Sequence, residues 1–132
     1  MSQDKRVLVI DDEPQSTTYL ATLLADHGFS AHEAHSADEG LRALEACRPD
    51  LILLDLVMPA TTGINLFNKI RKDARYQEIP IIIVTGIQEQ FSEDYGAFFL
   101  SLKLRKPAAF LEKPVDPNQL IQTVNKTLGT DN

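Results

Sequence analysis

The 132-residue chain carries 13 Lys and Arg against 19 Asp and Glu, a formal net charge of −6, with 43% hydrophobic and 24% charged residues. That balance excludes disordered, collagen-like and coiled-coil chains, and the acidic excess disfavours nucleic acid or an anionic membrane as partner. The length suits one domain with one core, expected over about residues 5–128 of 1–132. A single cysteine, Cys47, forms no internal disulfide and suits a reducing compartment. No apolar run matches a signal-peptide core or a membrane span, so a cytoplasmic location is expected.

In chain order, Val7–Ile10 is an apolar run that stops at Asp11, as a strand buried on both faces would. Leu20, Leu23, Leu24 and His27 then share a helical face, with Pro14 suited to the first turn and Gly28 to the stop. Ser30–His35 reads as a weak edge strand. Ser36 and Glu39 have the spacing of a capping box, followed by Leu41, Leu44 and Cys47 at helical intervals. Leu51–Leu54 is a second apolar run, and Leu66, Phe67 and Ile70 mark a helix after Gly63. Ile81–Val84 is the third run. In the segment Gln88–Pro107, Phe91, Tyr95, Phe98 and Leu102 fit a helix, whereas Leu100, Leu102 and Leu104 alternate as in a strand. Both readings stay open after about Phe99. Ala109–Glu112 is a short edge strand. Asp116-Pro117 caps a last helix bearing Leu120, Ile121, Val124 and Leu128, closed by Gly129. Strands alternating with helices predict an α/β doubly wound fold, a five-stranded parallel sheet covered on both faces.

The residues that stop the strands carry the chemistry. Asp11 and Asp12 follow the first strand, Asp55 ends the third, Thr85 ends the fourth and Lys113 follows the fifth. Open α/β sheets bind ligands beyond the carboxyl ends of their strands, so these side chains are expected to converge. Two carboxylates about 4 Å apart repel by roughly 4 kcal/mol at an effective dielectric near 20. Three acids in one crevice call for a cation, and oxygen donors near a phosphate favour Mg²⁺. Asp55 beside such an ion can attack phosphorus, while Thr85 donates a hydrogen bond to a phosphoryl oxygen and Lys113 neutralises another. His27, His32 and His35 lie close in sequence, but strand parity separates the last two and makes a zinc site unfavourable.

Four stretches, Val7–Pro14, Leu51–Pro59, Ile81–Gly86 and Phe110–Pro114, together resemble a response-regulator receiver domain of the CheY-like family. The resemblance implies a flavodoxin-like sheet in the order 2-1-3-4-5. It implies that Asp55 accepts a phosphoryl group from a histidine kinase or histidine phosphotransfer protein. It implies Mg²⁺ held by Asp12, Asp55 and the backbone carbonyl of Val57, with Asp11 acting mainly through water. Thr85 and Phe110 match the switch hydroxyl and the switch aromatic: Thr85 moves toward the phosphoryl group and Phe110 turns into the vacated space. A protein-binding surface around the fifth strand then changes shape, which makes the chain a signalling domain rather than an enzyme with a separate substrate.

Two departures stand out. Val57 and Ile87 are apolar where side chains influence water attack on the acyl phosphate, so a comparatively long-lived phosphorylated form is expected. Twenty-eight positions separate Thr85 from Lys113, several more than such receivers usually have. The extra length is expected as core of a longer helix, or as an apolar interface for a partner or for a homodimer through 88–107. No output module is expected after Leu128, and the downstream partner is not identified. Val57 stands where a phosphatase of the haloacid-dehalogenase type has a second Asp, and no Gly-rich turn follows the first strand to hold a dinucleotide. The remaining alternative is a receiver-like protein-interaction domain that works without phosphorylation.

Overall fold

A computed structural model of the chain describes residues 5–55, 63–85 and 105–130. The expectations for Val57, Ile87 and the greater part of 88–107 lie outside these residues, as does the side chain of Thr85.

Five strands form one parallel sheet: β1 (Arg6–Ile10), β2 (Ser30–Ala34), β3 (Leu51–Asp55), β4 (Ile81–Thr85) and β5 (Ala109–Glu112). Their order is β2-β1-β3-β4-β5, as the resemblance implies. Four described helices alternate with them: α1 (Pro14–Asp26), α2 (Ala37–Cys47), α3 (Gly63–Lys72) and α4 (Pro117–Leu128).

The apolar runs are strands because both of their faces are covered. Leu8, Ile10, Ile52, Leu54, Ile81 and Ile83 pack with Leu44 of α2 and with Leu66, Phe67 and Ile70 of α3. The alternate residues, Val7, Val9, Leu51, Leu53, Ile82 and Val84, pack with Leu20 and Leu24 of α1 and with Leu120, Ile121 and Val124 of α4. The period of two in each strand thus divides one sheet between two cores. Helix α2 lies so close to the sheet that a Cβ on Gly40 would meet Cδ1 of Ile10 at 2.9 Å.

The helix ends follow their local chemistry. Ser36 Oγ accepts from the N–H of Glu39 at 3.1 Å, and Asp116 Oδ2 accepts from Gln119 N–H at 2.9 Å. The capping box differs in one arm: the Glu39 carboxylate accepts from the N–H of His35, one residue before the cap, at 2.8 Å. The buried face of α1 also differs from its expected one. It is Thr17, Leu20, Ala21 and Leu24, with Leu23 half-buried and His27 exposed, because the helix ends one turn after Leu23 and leaves His27 at the cap. Cys47 is half-buried rather than a core residue, and burial pushes its thiol up, away from reactivity.

Candidate functional site

The sheet order reverses between β1 and β3, and crevices at such points lie beyond the carboxyl ends of the strands. Asp11 and Asp12 follow β1 there, and Asp55 is the last residue of β3. The side chain of Lys113 arrives from the residue after β5. Four residues spread over a hundred positions of sequence therefore meet for a topological reason.

Each acid offers one carboxylate oxygen such that the three atoms lie within 4.8 Å of one another, and this is the one such acid or metal-ligand group among the described residues. Asp11 is 2% and Asp55 6% exposed. Lys113 Nζ donates to Asp11 Oδ2 at 2.6 Å and stands 3.7 Å from Asp55 Oδ2 and 3.6 Å from Glu13 Oε1. Burial works against the charge of Lys113, but the bond to Asp11 and the charges of Asp55, Asp11 and Glu13 outweigh it and hold the ammonium above its ordinary pKa. Burial, and then the charge of Asp11, push the carboxyl of Asp12 up.

One ammonium faces the carboxylates of Asp11, Asp55 and Glu13, and Asp12 adds a fourth acid close to Asp11 and Asp55. The surplus is negative, the donors are all oxygen, and two of the acids are almost out of water. Hard divalent cations of the size of Mg²⁺ suit such a set, with opposed ligand oxygens roughly 4.2 Å apart across the ion. The three acids therefore fit a resident Mg²⁺.

Asp11, Asp12, Asp55 and Lys113 are brought together as the sequence suggests. Thr85 is placed through its backbone at the end of β4, in register with Glu112. Phe110 is on β5, 43% exposed and thus turned away from the core. Glu13 is an addition that the sequence reading missed; its signal was only its place beside the Asp pair. Beside Lys113 a groove of about 410 Å³ runs between α1 and the segment that joins β5 to α4, lined by Gln15, Ser16, Tyr19, Leu20, Pro114 and Val115. Of the histidines, none joins the acid group. No helix among the described residues is long and apolar enough to cross a membrane.

Comparison with known proteins places this geometry among relatives. Residues 7–125 match the family described as response regulator receiver domain. Protein PilH of Pseudomonas aeruginosa is 32% identical over 94% of this chain and 98% of its own length. The phosphate regulon transcriptional regulatory protein PhoB of the same organism is 29% identical, and the match spans 94% of this chain but 52% of that protein. A crystal structure of a CheY-like receiver domain protein from Methanospirillum hungatei superposes with a TM-score of 0.83 at 27% identity, covering 97% of this chain and 96% of that one.

Proposed function

The chain belongs to the response-regulator receiver family, whose members are signalling domains served by histidine kinases or phosphotransfer proteins and bind Mg²⁺ at an acidic pocket, and from that premise we propose that Asp55 is the phosphoacceptor of a two-component relay. The observation that carries this reading is the cluster of Asp11, Asp12 and Asp55, with the Lys113 ammonium against Asp11 and Asp55. When bound, Mg²⁺ supplies positive charge to the oxygens of the transferred phosphoryl group. Asp12 and Asp55 would hold it directly, with the carbonyl of Val57, and Asp11 mainly through water.

An Asp55 carboxylate oxygen forms a bond to phosphorus, while the bond from phosphorus to the donor imidazole nitrogen breaks and its electron pair leaves with the histidine. Lys113 is already within 3.7 Å of Asp55, so it neutralises a phosphoryl oxygen without a large movement. The hydroxyl of Thr85 pairs with another phosphoryl oxygen, and Phe110 leaves its exposed place to fill the space behind it. The groove beside Lys113 gives a partner bearing a phosphohistidine room to approach. The changed surface around β5 is the output, read by a separate protein, and with Val57 and Ile87 unable to position water the signal is long-lived.

Transfer from a phosphohistidine protein tests this. Radiolabel should pass to the wild-type chain only with Mg²⁺ present and should not pass to Asp55→Asn. Label that reaches Asp55→Asn equally well would refute the assignment.

A further inference from the structure

We propose that Thr17 and His35 are positioning residues for the acidic turn, which tie the backbone after Asp12 to the end of β2 and so set where its carboxylate meets a divalent cation. The proposal rests on the metal site described above, but the two residues stand outside it.

The geometry is a closed ring of contacts. Before Asp12, the N–H of Asp11 donates to the carbonyl of Ala34 at 3.1 Å. After it, the carbonyl of Pro14 accepts from Thr17 Oγ1 at 3.0 Å, and the same oxygen lies 2.9 Å from His35 Nε2. Ala34 and His35 are consecutive, so the end of β2 grips the turn at two points with Asp12 between them. Asp11 Oδ1 closes the turn further by accepting from the N–H of Glu13 at 3.1 Å.

Proton inventory fixes the direction of each bond. The Thr17 hydroxyl has one hydrogen, which goes to Pro14, so toward His35 it accepts and Nε2 carries the proton. Thr17 is 0% exposed, which leaves water no access to replace it. His35 is itself steadied: its N–H donates to Glu39 Oε1 at 2.8 Å, and Glu39 and Glu33 stand 3.5 Å from its two ring nitrogens. Neighbouring Thr18 is exposed and takes no part in the ring. A threonine in the first turns of a helix commonly bonds back to a carbonyl, but here that bond is extended to the residue that follows β2.

Groups that hold ligands in place cost metal affinity when removed even though they never touch the ion. Mn²⁺ titrated into the full chain, followed by water-proton relaxation, gives the dissociation constant directly. Thr17→Val and His35→Phe should each raise it about tenfold, Thr17→Ser should stay within about twofold of wild type, and the double variant should bind no more weakly than the weaker single one. Urea midpoints on the same samples separate positioning from plain stability. Unchanged Mn²⁺ affinity in Thr17→Val beside a lowered midpoint would overturn the proposal, as would losses that simply multiply in the double variant.

Should the wild-type chain bind no Mn²⁺, the metal reading fails, and the tie is then judged by amide exchange in the metal-free chain. Exchange at Asp12 and Glu13 should quicken about tenfold in Thr17→Val and not in Thr18→Val; equal rates in both would overturn it.

Discussion

At the carboxyl end of the strands Asp11 and Asp55 are nearly buried and face one ammonium, Lys113. At the amino end of β4 and β5 another charge, Arg71 at the close of α3, is 1% exposed. Its Nε donates to the carbonyl of Arg105 at 2.9 Å, and its Nη1 donates to those of Tyr76 and Gln77 at 3.4 and 3.3 Å. The guanidinium lies 5.3 Å from the centre of the Phe67 ring. No carboxylate forms an ion pair with it among the described residues, and burial, with Arg105 nearby, pulls its pKa down to about 10. Neutral dipoles and a ring thus stabilise one buried charge, and the segment entering β5 is fastened to α3 as a result. The acidic crevice is different: its own residues leave a negative surplus. Arg71 Nη2 is buried with no hydrogen-bond partner among the described residues, so the carbonyls hold this charge through two of its three nitrogens and the role is structural, whereas a surplus of buried like charge is ready for an added cation.

The largest effect should come from breaking the structural end. Arg71→Ala leaves three carbonyls and a void, and should cost about 3–4 kcal/mol of stability in urea. The loss should be the same with and without saturating Mg²⁺. Lysine at this position should not restore it, since an ammonium cannot bridge two segments as the planar fork does. A loss that Mg²⁺ repairs would show the two ends to be coupled and would break the contrast.

The crevice should respond in the opposite manner. Lys113→Met removes the one cation from partly buried acids and should cost about 2–3 kcal/mol without metal, less than a fully buried pair because Lys113 keeps some contact with water. Saturating Mg²⁺ should recover much of this, observed as a rise in melting temperature larger than in wild type. Equal rises in both chains would contradict a surplus of negative charge.

The smallest effect sharpens the comparison. The raised pKa of Asp12 means that the folded chain binds a proton more readily than the unfolded one, so this group lowers stability as pH rises from its ordinary value of 3.8 through the higher folded value. Asp12→Asn removes a partly buried charge and its repulsion with Asp11, and should therefore stabilise the metal-free chain at neutral pH by about 1 kcal/mol, the scale of two charges near 4 Å in water. It should also flatten the stability profile in weak acid, measured by urea midpoints across that range. A destabilised Asn variant would mean that Asp12 is compensated without metal.

Much of this was legible in the residues, for identifiable reasons. The runs ending at Asp11, Asp55 and Thr85 are apolar, so a polar residue at their ends marks the carboxyl end of the sheet, where function gathers. Caps such as Ser36 and Asp116 act within three residues and reveal helix starts. Contacts across the fold were not legible. In the run Lys69–Lys72, Arg71 looks like any cation at a helix end, and only the fold brings it the carbonyls of Arg105, Tyr76 and Gln77. Strand parity with His32 marks His35 only as a poor zinc ligand, and its actual partner, Thr17, lies eighteen positions away on another element. The face of α1 was misplaced by one turn because a threonine buried by a hydrogen bond breaks the apolar pattern.

The most direct measurement is an intact mass spectrum after incubation with acetyl phosphate, with Mg²⁺ and with a chelator in its place, beside Asp55→Asn. One phosphoryl adduct should form on the wild-type chain with Mg²⁺ alone and on neither control. An adduct that forms without divalent cation would contradict the metal site assigned to this crevice, and one on the Asn variant would contradict the acceptor.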